Sequence, residues 1–241
     1  MNEQVVRKVT LIGNGAHVFV PKEWVGESIF LVRPAKNLKE KILSVLSPYL
    51  DNILGVYLYG SYARDEQQED SDIDLFVVTD KPLKIKEKQY EIICIEKTQI
   101  KKVVKHFPVL LHSIISEAKV IINGDLLSEL RKMFKPKISD FKEYFSGTKS
   151  MIEINRSIPS EYSLILRLRG VFIIKQILQG KKYSRKEFER WIRSNLSDIN
   201  YPLIYGNYER VKHNFKIEKE SKIKDLNSLI EFLNHEIKRL A

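Results

Sequence analysis

Asp72-Ile73-Asp74 places two carboxylates two residues apart at the start of a run, Ile73 to Val78, rich in β-branched and aromatic residues. Residues two apart on a strand share a face, so both aspartates point one way while Ile73 points into a core. Paired hard oxygen ligands suit Mg²⁺, and two such ions about 4 Å apart can activate an attacking hydroxyl and stabilise the leaving oxygens of a phosphoryl transfer. Upstream, Gly60-Ser61 supplies the means to hold phosphates. Glycine lets the backbone approach closely, the serine hydroxyl donates, and N–H groups at the following helix start add to the cradle. Arg64 either contacts phosphates or caps this loop. A lone D-x-D is more often a turn pair, but the strand and Gly-Ser turn ahead of it favour a site. The chemistry would be nucleotidyl transfer: an α-phosphoryl group moves from a nucleoside triphosphate to an acceptor while pyrophosphate leaves, which asks the protein mainly for positioning and charge neutralisation.

The elements that must hold these residues are legible from periodicity. Leu38, Ile42, Val45, Leu46 and Leu50 recur at helical spacing, and a short apolar strand runs from Gly55 to Tyr59 directly into the turn. Tyr90 to Ile95 predicts another strand, paired in one sheet with Gly55–Tyr59 and Ile73–Val78. Beyond Thr98 the pattern turns helical, with segments at Val109–Ala118 and Leu126–Phe134, then Glu161–Gln179, Arg185–Ser194 and Lys222–Leu240. At the other end, Val5–Thr10 and His17–Val20 flank turn residues Ile12 to Ala16 and predict a β-hairpin, followed by a short strand at Ser28–Val32. That unit is too small to bury much surface alone and predicts a partner. The fold class is α+β: a hairpin unit over residues 1–35, an α/β core with a small mixed sheet over 36–145, and a helical domain over 146–241.

The run Tyr57-Leu58-Tyr59-Gly60-Ser61-Tyr62-Ala63-Arg64, followed by Ser71-Asp72-Ile73-Asp74-Leu75, resembles the signature of minimal nucleotidyltransferases in the DNA polymerase β superfamily, over roughly residues 38 to 123. The resemblance implies a nucleoside triphosphate substrate, two Mg²⁺ ions and AMP transfer from ATP to a protein, a small molecule or an RNA end. It also implies a third carboxylate on a later strand, which ligates metal and assists deprotonation of the acceptor. Glu91, between Tyr90 and Ile92, is the candidate, and Glu96 competes with it on register. The chain departs from the pattern at Asp65, where glycine commonly follows the arginine. Residues Val9 to Trp24 resemble the AbrB-like swapped-hairpin family and small archaeal transposon-associated proteins, which implies a homodimer that binds DNA, with Arg7 and Lys8 placed to meet phosphates. A DNA-binding or antitoxin-like regulatory module with a weakly active or inactive transferase domain is the alternative, and the resemblance to minimal nucleotidyltransferases, which often pair with helical toxin partners, supports it as well.

Composition agrees with these partners without choosing among them. Forty-one Lys plus Arg against thirty-one Asp plus Glu give a net charge of +10, which favours polyanions such as nucleic acid or nucleotide phosphates. Arg167, Arg169, Lys175, Lys181 and Lys182 are candidates to line an acceptor groove, and Tyr162, Phe172 or Tyr183 to stack a base. The single cysteine, Cys94, lies in an apolar run and predicts a packed thiol rather than a disulfide. His112 reads as a packed helix residue, and the five histidines show no zinc-ligand spacing. With no signal-like apolar region and no spanning stretch, the expected setting is cytoplasmic, without a membrane partner. The Lys and Ile content suits an archaeal thermophile.

Overall fold

A computed structural model of the chain describes residues 7, 9–29, 37–69 and 71–240. The chain divides into two compact units, residues 1–41 and 42–241, and the division falls within the first helix, α1 (Leu38–Leu46), rather than at 35/36.

In the first unit, β1 (Thr10–Ile12) pairs antiparallel with β2 (Gly15–His17), with Ile12 opposite Gly15. Gly13-Asn14 is thus a two-residue turn. Gly13 sits at φ +52°, in the left-handed region that a tight hairpin asks of its first central residue. The hairpin is shorter than the pattern suggested, because the turn closes at Gly13 and His17–Val20 does not continue as a strand. Leu11 and Phe19 are 83% and 73% exposed. Lys8 and most of the strand expected at Ser28–Val32 lie outside the described residues.

In the second unit, β3 (Ile53–Tyr59) leads into the short helix α2 (Gly60–Arg64), then β4 (Ile73–Thr79) and β5 (Tyr90–Glu96). Helices α3 (Ile100–His106) and α4 (Pro108–Glu117), strand β6 (Lys119–Ile122) and α5 (Gly124–Met133) complete this half. The sheet order is β5-β4-β3-β6; β4 and β5 run parallel, and the other two pairings are antiparallel. The mixed sheet is as expected, but its fourth strand, β6, was not. Lys119–Ile122 is a four-residue run with three β-branched residues wedged between two helices, too short for a period-2 signal to stand out. Asn123, at φ +62°, then turns the chain and caps α5 by accepting from the Leu126 amide. Both faces of the central strands are buried. Tyr57, Tyr59, Phe76 and Val78 form a core with Leu111, Ile114, Ile115, Leu127 and Leu130 from the helices, while Val56, Leu75 and Val77 on the other face are also fully buried.

The remaining helices are α6 (Lys142–Ser157), α7 (Glu161–Leu178), α8 (Arg185–Asn195), α9 (Tyr201–Lys212) and α10 (Ile223–Leu240). They share a second core that runs from Phe141 to Ile237, with α7 at its centre. α7 is apolar on most of its circumference for that reason. The boundary read at 145/146 lies inside α6, and Phe141 and Phe145 already belong to the helical core.

Candidate active site

The site assembles where β3 hands over to α2. Gly60, at φ +70°, is the first residue of α2, and a Cβ there would overlap the Asp74 carboxylate. Both facts require glycine: a side chain would be strained by the backbone and would collide with the acid that the sheet places beside it. Tyr59 and Asp74 are cross-strand partners, so the antiparallel pairing of β3 with β4 sets that approach.

The parallel pairing of β4 with β5 then adds the second acid. Asp74 lies directly opposite Glu91, so their side chains share a face, whereas Glu96 lies opposite Thr79 and accepts a hydrogen bond from the Thr98 hydroxyl. Five residues separate the two glutamates, an odd number on a pleated strand, so they face opposite sides of the sheet at opposite ends. Register thus brings Glu91, and not Glu96, to Asp74. Asp72 lies just before β4 and is exposed, as is Glu91, while Ile73 between the aspartates is buried on the other face. Burial, then the neighbouring Glu91, push the Asp74 carboxyl up to about 7; Arg64 opposes the shift, and Asp72 and Glu117 reinforce it.

Glu117, at the end of α4, was not singled out from the sequence, and it organises the turn. Its Oε1 accepts from the Gly60 amide at 3.0 Å, and both its oxygens accept from Arg64 Nη1, at 3.0 and 2.9 Å. Glu117 is 3% exposed, so its charge is tolerated only because Arg64 faces it. The same Arg64 donates from Nε to Glu66 at 3.1 Å. The only sequence signal was a lone acid closing an apolar helix, which looks the same whether it faces solvent or a site. Asp65, the departure from the resembled pattern, stands at φ +58°, where glycine is favoured and aspartate is among the better-tolerated substitutes. Its carboxylate accepts from Lys119 Nζ at 2.9 and 3.0 Å.

The residue types fit a hard divalent cation. Asp72, Asp74 and Glu91 offer only oxygen ligands, and the mutual repulsion that raises Asp74 is a charge a cation would neutralise. Among the described residues no group of three His, Cys, Asp or Glu side chains is arranged to hold a metal ion, and Asp72 and Glu91 are exposed.

Other candidates fall elsewhere. Arg167 stacks on Tyr144, Arg169 on Tyr183, and Lys175 pairs with Glu236 and lies over Trp191, so these three cations are packed into the helical region rather than lining an open groove. Lys181 and Lys182 are exposed. Phe172 and Tyr183 are buried, which removes them as base-stacking surfaces, and Tyr162 already stacks on Tyr208. His112 is buried against Phe141, and burial lowers its pKa. Arg7 is exposed in the first unit. No described helix is long and apolar enough to cross a membrane.

The family model described as "Polymerase beta, Nucleotidyltransferase" matches residues 40–126, the segment that contains the turn, the three carboxylates and Glu117. No curated protein matches the chain. Among solved structures, the chain is similar to a spectinomycin adenyltransferase from Enterococcus faecialis, solved with ATP and spectinomycin. That match has 15% identity and a TM-score of 0.49, and covers 82% of this chain and 97% of the other. A nucleotidyltransferase-like protein from Exiguobacterium sibiricum matches at 14% identity and a TM-score of 0.33, over 84% of this chain and 75% of its own. The segment that sets the Gly60 turn against Asp74, with Glu91 in register beside it, is thus the segment that matches the polymerase β nucleotidyltransferase family model.

Proposed function

We propose that the chain transfers a nucleoside monophosphate, AMP from ATP, to an acceptor hydroxyl, using Mg²⁺ held by Asp72, Asp74 and Glu91. The observation that carries this reading is the contact of Gly60 with Asp74, which sets a phosphate-binding turn against a carboxylate pair with no room for another side chain. In this reading the Ser61 hydroxyl and the backbone after Gly60 meet triphosphate oxygens. Arg64, held at Nε and Nη1 by Glu66 and Glu117, turns its positive charge toward them. The bound metal would polarise the phosphoryl group and neutralise the charge that builds on it. Glu91, exposed beside Asp74, is placed to accept the acceptor's proton.

The test is incubation of the purified chain with each labelled nucleoside triphosphate and Mg²⁺, with cell extract as acceptor. Asp72→Ala and Asp74→Ala should each lower transfer by about a thousandfold or more, with the far-UV circular dichroism of the native chain retained. Transfer that persists in both variants, or in excess chelator, would refute the assignment.

A second role is supported for the first unit. Val9, Leu11, Ile12, Phe19 and Val25 are exposed apolar side chains on a small hairpin unit, more than so small a body leaves bare without a partner. Pairing with a second copy would cover that surface, and contact with DNA would run through the exposed Arg7. Retention of labelled duplex DNA by the full chain, and its loss on deletion of residues 1–36, is the measurement; equal retention by both would exclude this role.

A further inference from the structure

Glu66 lies two residues beyond Arg64, with its side chain 17% exposed. A carboxylate offers two oxygens and about four acceptor positions, and Glu66 divides them between partners that are distant in sequence. Oε2 accepts from Arg64 Nε at 3.1 Å. Oε1 accepts from the Ser184 hydroxyl at 2.9 Å and from the Arg185 amide at 3.1 Å. Arg185 is the first residue of α8, so its amide is one of the donors that a helix start leaves without an intrahelical acceptor, at the positive end of the helix dipole. Tyr183, immediately before the cap, carries the guanidinium groups of Arg64 and Arg169 over its ring, at 5.0 and 5.1 Å. An unbroken series of polar contacts therefore runs from the Gly60 amide through Glu117, Arg64 and Glu66 to the first turn of α8.

We propose that Glu66 is a positioning residue that transmits occupancy of the phosphate turn to α8, so that a bound triphosphate tightens the start of that helix. The proposal rests on the reading that the Gly60-Ser61 turn holds nucleotide. Its direction follows from charge. Arg64 neutralises Glu66 in the empty site, and an incoming polyanion shares the guanidinium, which leaves the Glu66 carboxylate a stronger acceptor for the Ser184 hydroxyl and Arg185 amide. The helical region would then register against the transfer site only when the donor is in place.

The experiment is amide exchange of the full chain, resolved at Arg185 by NMR, with and without saturating ATP and Mg²⁺, alongside calorimetric ATP binding. In the native chain ATP should slow Arg185 exchange about threefold or more. Glu66→Gln, at an ATP concentration that calorimetry shows to saturate it, should lose the ATP-dependent slowing, an outcome that a purely structural contact would not produce. Slowing that survives in Glu66→Gln, or ATP binding to the native chain that leaves Arg185 unchanged, overturns the proposal. If calorimetry finds no ATP binding to the native chain, the nucleotide reading fails by itself. Transmission is then decided by Arg64→Gln without ligand, where slower Arg185 exchange supports it and unchanged exchange refutes it.

Discussion

Asp74 is surrounded by acids, and its protonation changes both stability and site chemistry. Its folded pKa of about 7 lies above the ~3.9 of a free aspartate, so the folded chain holds this proton more tightly than the unfolded chain does. The stability that the protonated group contributes is complete below about pH 4 and is lost as pH rises through about 7. Asp74→Asn mimics the protonated form. Denaturant unfolding should find the variant close to the native chain at pH 4 and more stable by about 1–2 kcal/mol at pH 8, a figure discounted for partial solvent screening. A difference that does not grow with pH would contradict the burial and repulsion argued here. At the same scale, Glu91→Gln should lower transfer by about a hundredfold or more while Glu96→Gln stays within about threefold, read as kcat/KM on one acceptor. Which glutamate meets Asp74 could not be read from the sequence, since both follow the same apolar-acid alternation and only the pairing of Asp74 with Glu91 separates them.

Helices and strands of this chain differ in how openly they announce themselves. α7, α8 and α10 follow clear helical spacing, and β3 and β4 are apolar runs, the first ending and the second beginning at the candidate site. α6 and α9 are less legible, because Gly147, Pro202 and Gly206 interrupt their patterns; Pro202 sits in the first turn of α9, where a missing N–H costs nothing, behind the Asn200 cap. α4 carries the element-scale consequence. Its last residue, Glu117, puts a negative charge at the end of a helix that disfavours one, and Arg64 and the Gly60 amide offset the cost. Glu117→Ala should therefore destabilise the chain by about 3–5 kcal/mol, because it leaves the buried Gly60 amide and the Nη1 of a largely buried guanidinium without their acceptor, whereas Glu117→Gln should cost about 1–2 kcal/mol. Equal, small losses in chemical denaturation for the two variants would show that the ion pair is not holding the turn.

On the scale of the whole molecule, the hairpin unit and the rest of the chain are separate compact bodies. Deleting residues 1–36, which spares α1, should leave the main thermal transition within about 3 °C of the native value. It should also convert any self-associated species to monomer in sedimentation, since it removes the exposed Val9, Leu11 and Phe19. A collapse of the main transition would mean that the hairpin contributes to the larger core.

The sequence by itself determined what depends on near neighbours: the glycine turn, the alternation that buries Ile73 on the face opposite Asp74, the apolar strands beside them and the longer helices. Tertiary structure alone decided that Glu91 and not Glu96 meets Asp74, that Glu117 braces a turn 57 residues away, and that Glu66 reaches Ser184 across 118 residues. The reason is physical. Dihedral preference and side-chain period act over a few residues, whereas strand register and the pairing of buried charges are properties of surfaces that come together only when the chain is folded.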